Sequence, residues 1–240
     1  MKKIVSILLA AGKGTRCGFD EPKQWKRIAS IPLFEYSLRA FMNVSLIATH
    51  ILVVNENDME KYEHHLVMQN LLTNVVLVAG GQTRQESVYN ALTVINDSEP
   101  EEQIPALIVI HDTARPMVTC EIIQNTIEAA LRTGAAIAAA PVHDTIKKVN
   151  SSFVILKTEP RERLYAAQTP QTFSYSTLLK AHNIARETGE TVTDDAMLFE
   201  HRFIPVTVVE NYTENPKITT SADFDYARSW LLRNKPVYMP

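Results

Sequence analysis

The sequence predicts an α/β fold: a doubly wound, mostly parallel sheet in one domain spanning 1–240, with a hairpin arm at about 141–168. Three observations predict it. Short apolar runs read as buried strands, and stretches of helical period alternate with them, which is the rhythm of βαβ units. Small or charged residues close several runs, where such sheets present ligand sites at their strand carboxyl ends. The rhythm breaks once, at 141–168, in favour of two short β-like runs around a polar turn.

The elements follow in order. Apolar runs at 4–9, 50–54, 75–79, 106–110 and 135–140 are the expected parallel strands, and helical patterns near 33–42, 58–69, 84–95 and 120–132 lie between them. The segment 141–168 places Asn150-Ser151-Ser152 between its two runs, as a hairpin would. An isolated hairpin is marginal in water, so this arm has to pack on something. Helical patterns return at 175–187 and 194–201, a strand at 205–210, and a last helix from Ser221 to about Leu232, with Asp223 and Asp225 close behind its start. The tail from Lys235 is expected to be loosely held.

Composition excludes several function classes. A net charge of −3 leaves no electrostatic footprint for nucleic acid or an anionic membrane surface. The longest apolar run near the N-terminus, Ile4 to Ala11, is too short to span a bilayer and lacks a signal-peptide pattern. Cys17 and Cys120 show no metal spacing, and two lone thiols suit a reducing cytoplasm. Cys17 lies among cations that can lower a thiol pKa, although an unremarkable small residue is the simpler reading.

The segment Ala10-Ala11-Gly12-Lys13-Gly14-Thr15-Arg16, followed by Pro22-Lys23-Gln24, carries most of the chemistry. Glycines after a strand permit positive φ and let backbone N–H groups approach an anion closely. Lys13, Arg16 and Lys23 supply positive charge for a polyphosphate. The loop is not a dinucleotide fingerprint: Gly12 and Gly14 are followed by Arg16, and the next strand-like run, 50–54, comes far too late to end in the acidic residue required about twenty positions on. Nor is it a Walker loop, which needs Gly-Lys followed by Ser or Thr. Gly80-Gly81 and Asp112 also close expected strands, so one sheet edge gathers residues about a hundred positions apart in sequence.

These segments, in this order, resemble the cytidylyltransferases of sugar-alcohol phosphates, most closely the 2-C-methyl-D-erythritol 4-phosphate cytidylyltransferase family. The resemblance continues through Arg84 with Ser87-Val88, His111-Asp112-Thr113-Ala114-Arg115-Pro116, Asp144-Thr145-Ile146-Lys147, Gln168-Thr169-Pro170-Gln171, Thr193-Asp194-Asp195-Ala196 and Lys217-Ile218-Thr219-Thr220. It implies a Rossmann-like nucleotidyltransferase sheet whose arm embraces a second subunit in a homodimer. It also implies attack of a phosphate monoester oxygen on the α-phosphate of CTP, with pyrophosphate leaving. Such chemistry runs on positioning and charge stabilisation.

By motif match, Arg16, Lys23 and Lys217 are the expected catalytic cations. Ala10, Ala11, Gly12, Gly14, Gly80, Gly81, Ser87 and Asp112 are the expected nucleotide contacts, with Ala79 backbone beside the base. Arg115, Thr145, Arg161, Thr169 and Thr193 are the expected acceptor contacts, and Arg163 is an alternative to Arg161. Mg²⁺ is expected on the nucleotide phosphates, with Asp112 the one candidate protein ligand or a ribose contact.

His111 reads as a packed structural histidine. Gln82 stands where the family often has an acidic residue, and Thr113 replaces the usual alanine and is expected to crowd the Asp112 turn. Arg84 is expected to brace the glycine loop. The runner-up reading is a ribitol 5-phosphate cytidylyltransferase, against which Asp144-Thr145-Ile146-Lys147-Lys148 argues. A CTP-binding protein that has lost turnover is a different class, opposed by the presence of Arg16, Lys23 and Lys217.

Overall fold

The structure, a computed structural model, describes residues 3–12, 21–98 and 104–236. Its strands are β1 (Ile4–Leu9), β2 (Arg27–Ile28), β3 (Ile31–Pro32), β4 (Thr49–Val54), β5 (Val75–Ala79), β6 (Leu107–Asp112), β7 (Ala135–Pro141), β8 (Lys147–Val149), β9 (Ile155–Thr158), β10 (Tyr165–Ser174) and β11 (Thr207–Glu210). Its helices are α1 (Leu33–Met42), α2 (Met59–Met68), α3 (Arg84–Ser98), α4 (Cys120–Thr133), α5 (Tyr175–Thr188), α6 (Asp195–Glu200) and α7 (Ser221–Asn234).

Among the described residues the main sheet runs in the order β11-β7-β10-β6-β1-β4-β5. β1 pairs in parallel with β4 and β6, β4 with β5, and β11 with β7. The sheet is therefore mostly parallel, as expected. Alternate residues of β1 feed two cores: Ile4 and Leu8 join Phe34, Leu66 and Ile123 under α1, α2 and α4. Val5 and Ile7 join Val88, Leu178 and Phe199 under α3, α5 and α6. Helices on both faces bury β1, β4 and β6 twice, so these strands read as largely apolar runs.

β10 departs from the expectation. It is antiparallel to both β6 and β7 and lies in the middle of the sheet. Its sequence, with Gln168, Thr169, Pro170, Gln171 and Thr172, does not resemble a buried strand. Pro170 falls where the register with β7 shifts, between Ala167 and Gln171, a place where proline costs no ladder hydrogen bond. The expected hairpin forms from β8 and β9. Asn150 Oδ1 closes its turn by accepting from Ser152 N and Val154 N, at 3.0 and 2.9 Å.

A third small core positions the site. Ile218, fully buried, packs with Ile28, Leu33 and Tyr36 and with Phe224 and Leu231 of α7. α7 starts at Ser221, as expected, and Thr220 is its N-cap. Thr220 and Asp223 form a reciprocal capping box, and Asp223 Oδ2 also accepts from Thr219 N and Oγ1. No helix among the described residues is long and apolar enough to cross a membrane.

Candidate active site

A cavity of about 620 Å³ opens at the carboxyl ends of β1, β4, β5 and β6. Ala11 and Gly12 line it from β1, Gly80 and Gly81 from β5, and Asp112 from β6, together with Ser87, Lys23 and Lys217. The segments expected to meet at one sheet edge do meet. Ala10 does not line the cavity; its N–H extends the ladder to Val53 O at 2.7 Å, and its side chain is buried. Lys13, Gly14, Arg16 and Cys17 lie outside the described residues.

The glycine pair is required by space rather than by φ. Among the described glycines, only Gly134 and Gly189, at the C-caps of α4 and α5, have positive φ. A Cβ on Gly80 would sit 2.5 Å from Ala11 Cβ and 3.1 Å from Ser87 Oγ. A Cβ on Gly81 would sit 2.4 Å from Glu86 Cβ. Ser87 Oγ accepts from Gly81 N at 3.1 Å and donates to Thr83 O at 2.9 Å, so this hydroxyl shapes the loop. Glu86 Oε2 accepts from Gln82 N and Thr83 N, and Glu86 N donates to Thr83 Oγ1. That reciprocal cap places a carboxylate at the loop although position 82 is glutamine. Ala79 O accepts from Asn90 Nδ2 at 3.1 Å.

Lys23 begins a 3-10 turn, Lys23–Trp25, and is 9% exposed. Its Nζ donates to Ile218 O at 2.9 Å, which ties it to the loop bearing Lys217. That loop is held from several sides. Ile218 N donates to Ala114 O, Arg115 Nη1 to Asn215 O at 2.8 Å, and Asn215 Nδ2 to Thr169 O at 2.8 Å. Lys217 Nζ then meets Asp112 Oδ2 at 2.6 Å.

Asp112 is the electrostatic centre. Burial raises its pKa, but Arg84 Nε at 3.2 Å from Oδ1 and Lys217 on Oδ2 outweigh burial and hold it well below the usual carboxylate range. Arg84 does not brace the glycine loop. It points to Asp112 and, through Nη1, to Asp195 Oδ2 at 2.6 Å. Asp195 in turn takes His182 Nε2 at 3.0 Å. Burial raises the pKa of Asp195, while Arg84 and His182 bring it down to about 2.

Behind Asp112, Thr169 Oγ1 accepts from Asp112 N at 3.1 Å and lies 2.9 Å from His111 Nδ1. His111 Nε2 donates to Arg115 O at 3.3 Å, which leaves Nδ1 as the acceptor for the Thr169 hydroxyl. His111 is fully buried, and burial pushes its pKa down to about 3, so it is the neutral structural histidine expected. Thr113 does not crowd the turn: its Oγ1 donates to Leu9 O at 2.7 Å and joins β6 to β1.

The five residues expected at the acceptor do not line this cavity. Arg115 binds the Asn215 carbonyl, and Thr169 is buried with its hydroxyl engaged. Thr193 Oγ1 donates to Met197 Sδ at 3.0 Å. Thr145 is exposed on the arm, and Arg161, also exposed, donates to His143 O. Arg163 is likewise exposed on the arm.

Asn55, Glu56 and Asn57 line the cavity just beyond β4 and are not among the expected site residues, and Gln24, also on its wall, had no expected role. The position of Asn55–Asn57 beyond a strand neighbouring β1 was the available signal. Gln24 Oε1 is buried with no hydrogen-bond partner among the described residues, in a place where a ligand or water can satisfy it. No cluster of three or more metal-ligating side chains occurs among the described residues. Among the described residues, Asp112 and the exposed Glu56 are the carboxylates on the cavity wall.

The family model for 2-C-methyl-D-erythritol 4-phosphate cytidylyltransferase (IspD) matches residues 4–233. The chain belongs to this family. It is 39% identical to the protein of that name from Desulforamulus reducens, over 97% of each chain. It is also 39% identical to one from Bacillus cereus, over 94% of this chain and 96% of that one.

Two solved structures extend the likeness to the fold. The 4-diphosphocytidyl-2C-methyl-D-erythritol synthase from Anaerococcus prevotii aligns with a TM-score of 0.81 at 28% identity, covering 97% of this chain and 99% of that one. The cytidylyltransferase from Thermus thermophilus aligns at 0.75 and 29% identity, covering 97% and 100%. In this IspD-family chain, Lys23, Lys217, Asp112, Ser87 and the described glycines of both loops line one cavity, and Arg115, Thr145, Arg161, Thr169 and Thr193 do not.

Proposed function

We propose that this chain is a nucleotidyltransferase that moves a cytidylyl group from CTP to 2-C-methyl-D-erythritol 4-phosphate and releases pyrophosphate, a step of isoprenoid precursor synthesis. Family membership supports it, and the observation that carries it is the meeting of Lys23, Lys217, Asp112 and the glycine pair around one cavity. Its volume of about 620 Å³ lies in the range of small-molecule sites.

In the reaction an oxygen of the acceptor phosphate forms a bond to the α-phosphorus. The bond from that phosphorus to the bridging oxygen breaks, and pyrophosphate leaves with the electron pair. Lys23, Lys217 and Arg16 stabilise the charge on the five-coordinate phosphorus. The glycine loop at 80–81 accommodates the base through backbone groups.

Mg²⁺, when bound, screens the triphosphate and orients it. Asp112 is the buried carboxylate that would hold the ion or its waters, and a lone carboxylate fits an ion held mostly by phosphates.

A homodimer completes the acceptor site in this reading. The arm exposes Phe153 at 87% and Val154, Ile155 and Leu156 at 59% each, an apolar strip that one chain leaves uncovered. Thr145 and Arg161, carried by the arm and exposed, then serve the partner's cavity. A cytoplasmic location fits the lone thiols.

Nothing in the similarities favours ribitol 5-phosphate. The test is pyrophosphate release from CTP and Mg²⁺ with each acceptor. Release with 2-C-methyl-D-erythritol 4-phosphate is expected; release with ribitol 5-phosphate alone overturns the assignment.

A further inference from the structure

We propose that Arg84 is a positioning residue for this reaction: through a buried ladder, Asp112–Arg84–Asp195–His182, it sets the direction of the Asp112 carboxylate and thereby the position of the Lys217 ammonium. The proposal rests on the cytidylyl-transfer reading of the cavity.

The ladder joins elements far apart in sequence. Arg84 opens α3, Asp112 ends β6, Asp195 opens α6 and His182 lies in α5. Side-chain exposure along it is 38% at Lys217, 10% at Asp112, 23% at Arg84, and 1% at each of Asp195 and His182, so its inner end is fully buried. The inner end is clamped by packing and the outer end meets the nucleotide cavity.

The Asp112 oxygens have separate cationic partners, Arg84 Nε on Oδ1 and Lys217 Nζ on Oδ2. Arg84 is itself oriented by Asp195 through Nη1. A planar guanidinium can bridge two carboxylates in a fixed geometry; a lysine ammonium is a point charge on a flexible stem and cannot. Arg84 therefore does two things at once. It fixes the Asp112 rotamer, and it shares the carboxylate's charge so that Lys217 is not its sole counter-ion. Without it, Asp112 turns wholly to Lys217, and the ammonium is held back from the triphosphate.

A double-mutant cycle tests this, using Arg84→Ala, Asp112→Asn and the pair, with each variant checked for native circular dichroism. Arg84→Ala is expected to lower kcat on the order of 10²-fold, the scale of a misplaced reacting group, with a much smaller change in acceptor KM. Asp112→Asn is expected to cost several-fold less in the Arg84→Ala background than alone, because the coupling is already lost. Guanidinium ion is expected to restore part of the turnover of Arg84→Ala; Arg84→Lys is expected to stay low. Asp195→Asn, which unclamps the inner end, is expected to fall between.

Wild-type kcat in folded Arg84→Ala overturns the proposal, and so does an additive cycle without guanidinium rescue. If native protein binds CTP but turns over no acceptor, the assigned reaction fails, and the same cycle is read from calorimetric CTP affinities, where additivity overturns the ladder. Absence of CTP binding to native protein overturns both.

Discussion

Replacing Gly80 by alanine probes the glycine pair directly. The new Cβ would lie 2.5 Å from Ala11 Cβ, 3.1 Å from Ser87 Oγ and 3.4 Å from Val53 Cγ1. Ala11 Cβ sits on the backbone and cannot rotate aside. Relief to an ordinary contact of 3.4 Å therefore means that the β1 and β5 loops separate by about 0.9 Å, the difference between 3.4 and 2.5 Å. Both loops line the cavity proposed to hold the nucleotide. Overpacking of this kind costs about 1–3 kcal/mol of stability, and a displacement near 1 Å at a reacting centre costs on the order of 10²-fold in rate.

The assays are urea unfolding and steady-state kinetics with CTP varied. Gly80→Ala is expected to lower both stability and kcat/KM for CTP. Ala11→Gly in the same chain removes the closest clashing atom and is expected to recover most of the loss, leaving the Ser87 contact. Native stability and native CTP kinetics in Gly80→Ala would refute the reasoning. Equal damage in single and double variants would assign the effect to something other than this contact.

Lys23→Ala is expected to cut kcat by roughly 10²–10³-fold, the scale for one preorganised charge-stabilising group. Because Lys23 is 9% exposed and binds Ile218 O, it should also cost about 1–2 kcal/mol of stability, more than a solvated loop lysine would; unaltered kcat removes it from the mechanism.

Acid should destabilise the fold through two histidines. Burial pushes His50 down to about 4 and His111 down to about 3, so both stay neutral while the unfolded chain takes up protons below about pH 6.5. The unfolded state then binds more protons, and stability present above that pH is lost as pH falls toward the folded values. The loss is about 1.4 kcal/mol per pH unit for each histidine. Urea midpoints at pH 7 and pH 5 measure it; His50→Gln should roughly halve the slope, and equal stabilities at both pH values would disprove it.

On the arm, Ile155→Asp with Leu156→Asp should leave monomer stability within about 0.5 kcal/mol, since both side chains are exposed, but convert a dimer to monomer by light scattering. A wild-type monomer, or a variant that still dimerises, rules out the arm as the interface.

The sequence alone determined the βαβ frame, because strands covered on both faces are written as apolar runs and because helices and strands differ in period. It also determined which loops would meet: in a parallel sheet the carboxyl ends of β1, β5 and β6 share one edge whatever their separation in sequence. Gly80, Gly81 and Asp112 were legible for that reason, and Lys23 and Lys217 by motif match.

Only the tertiary structure decided the rest. β10 is hidden in a polar, proline-bearing run because Gln171 Nε2 and Thr169 Oγ1 find partners in Asp194 and His111, which no local pattern reveals. The close approach that excludes a side chain at Gly80 comes from Ala11, nearly seventy residues upstream. Arg84 looks like a surface arginine until α6 brings Asp195 beneath it. Propensity and periodicity are properties of neighbours along the chain. Charge pairing and steric exclusion act between side chains that only folding brings within a few ångströms of one another.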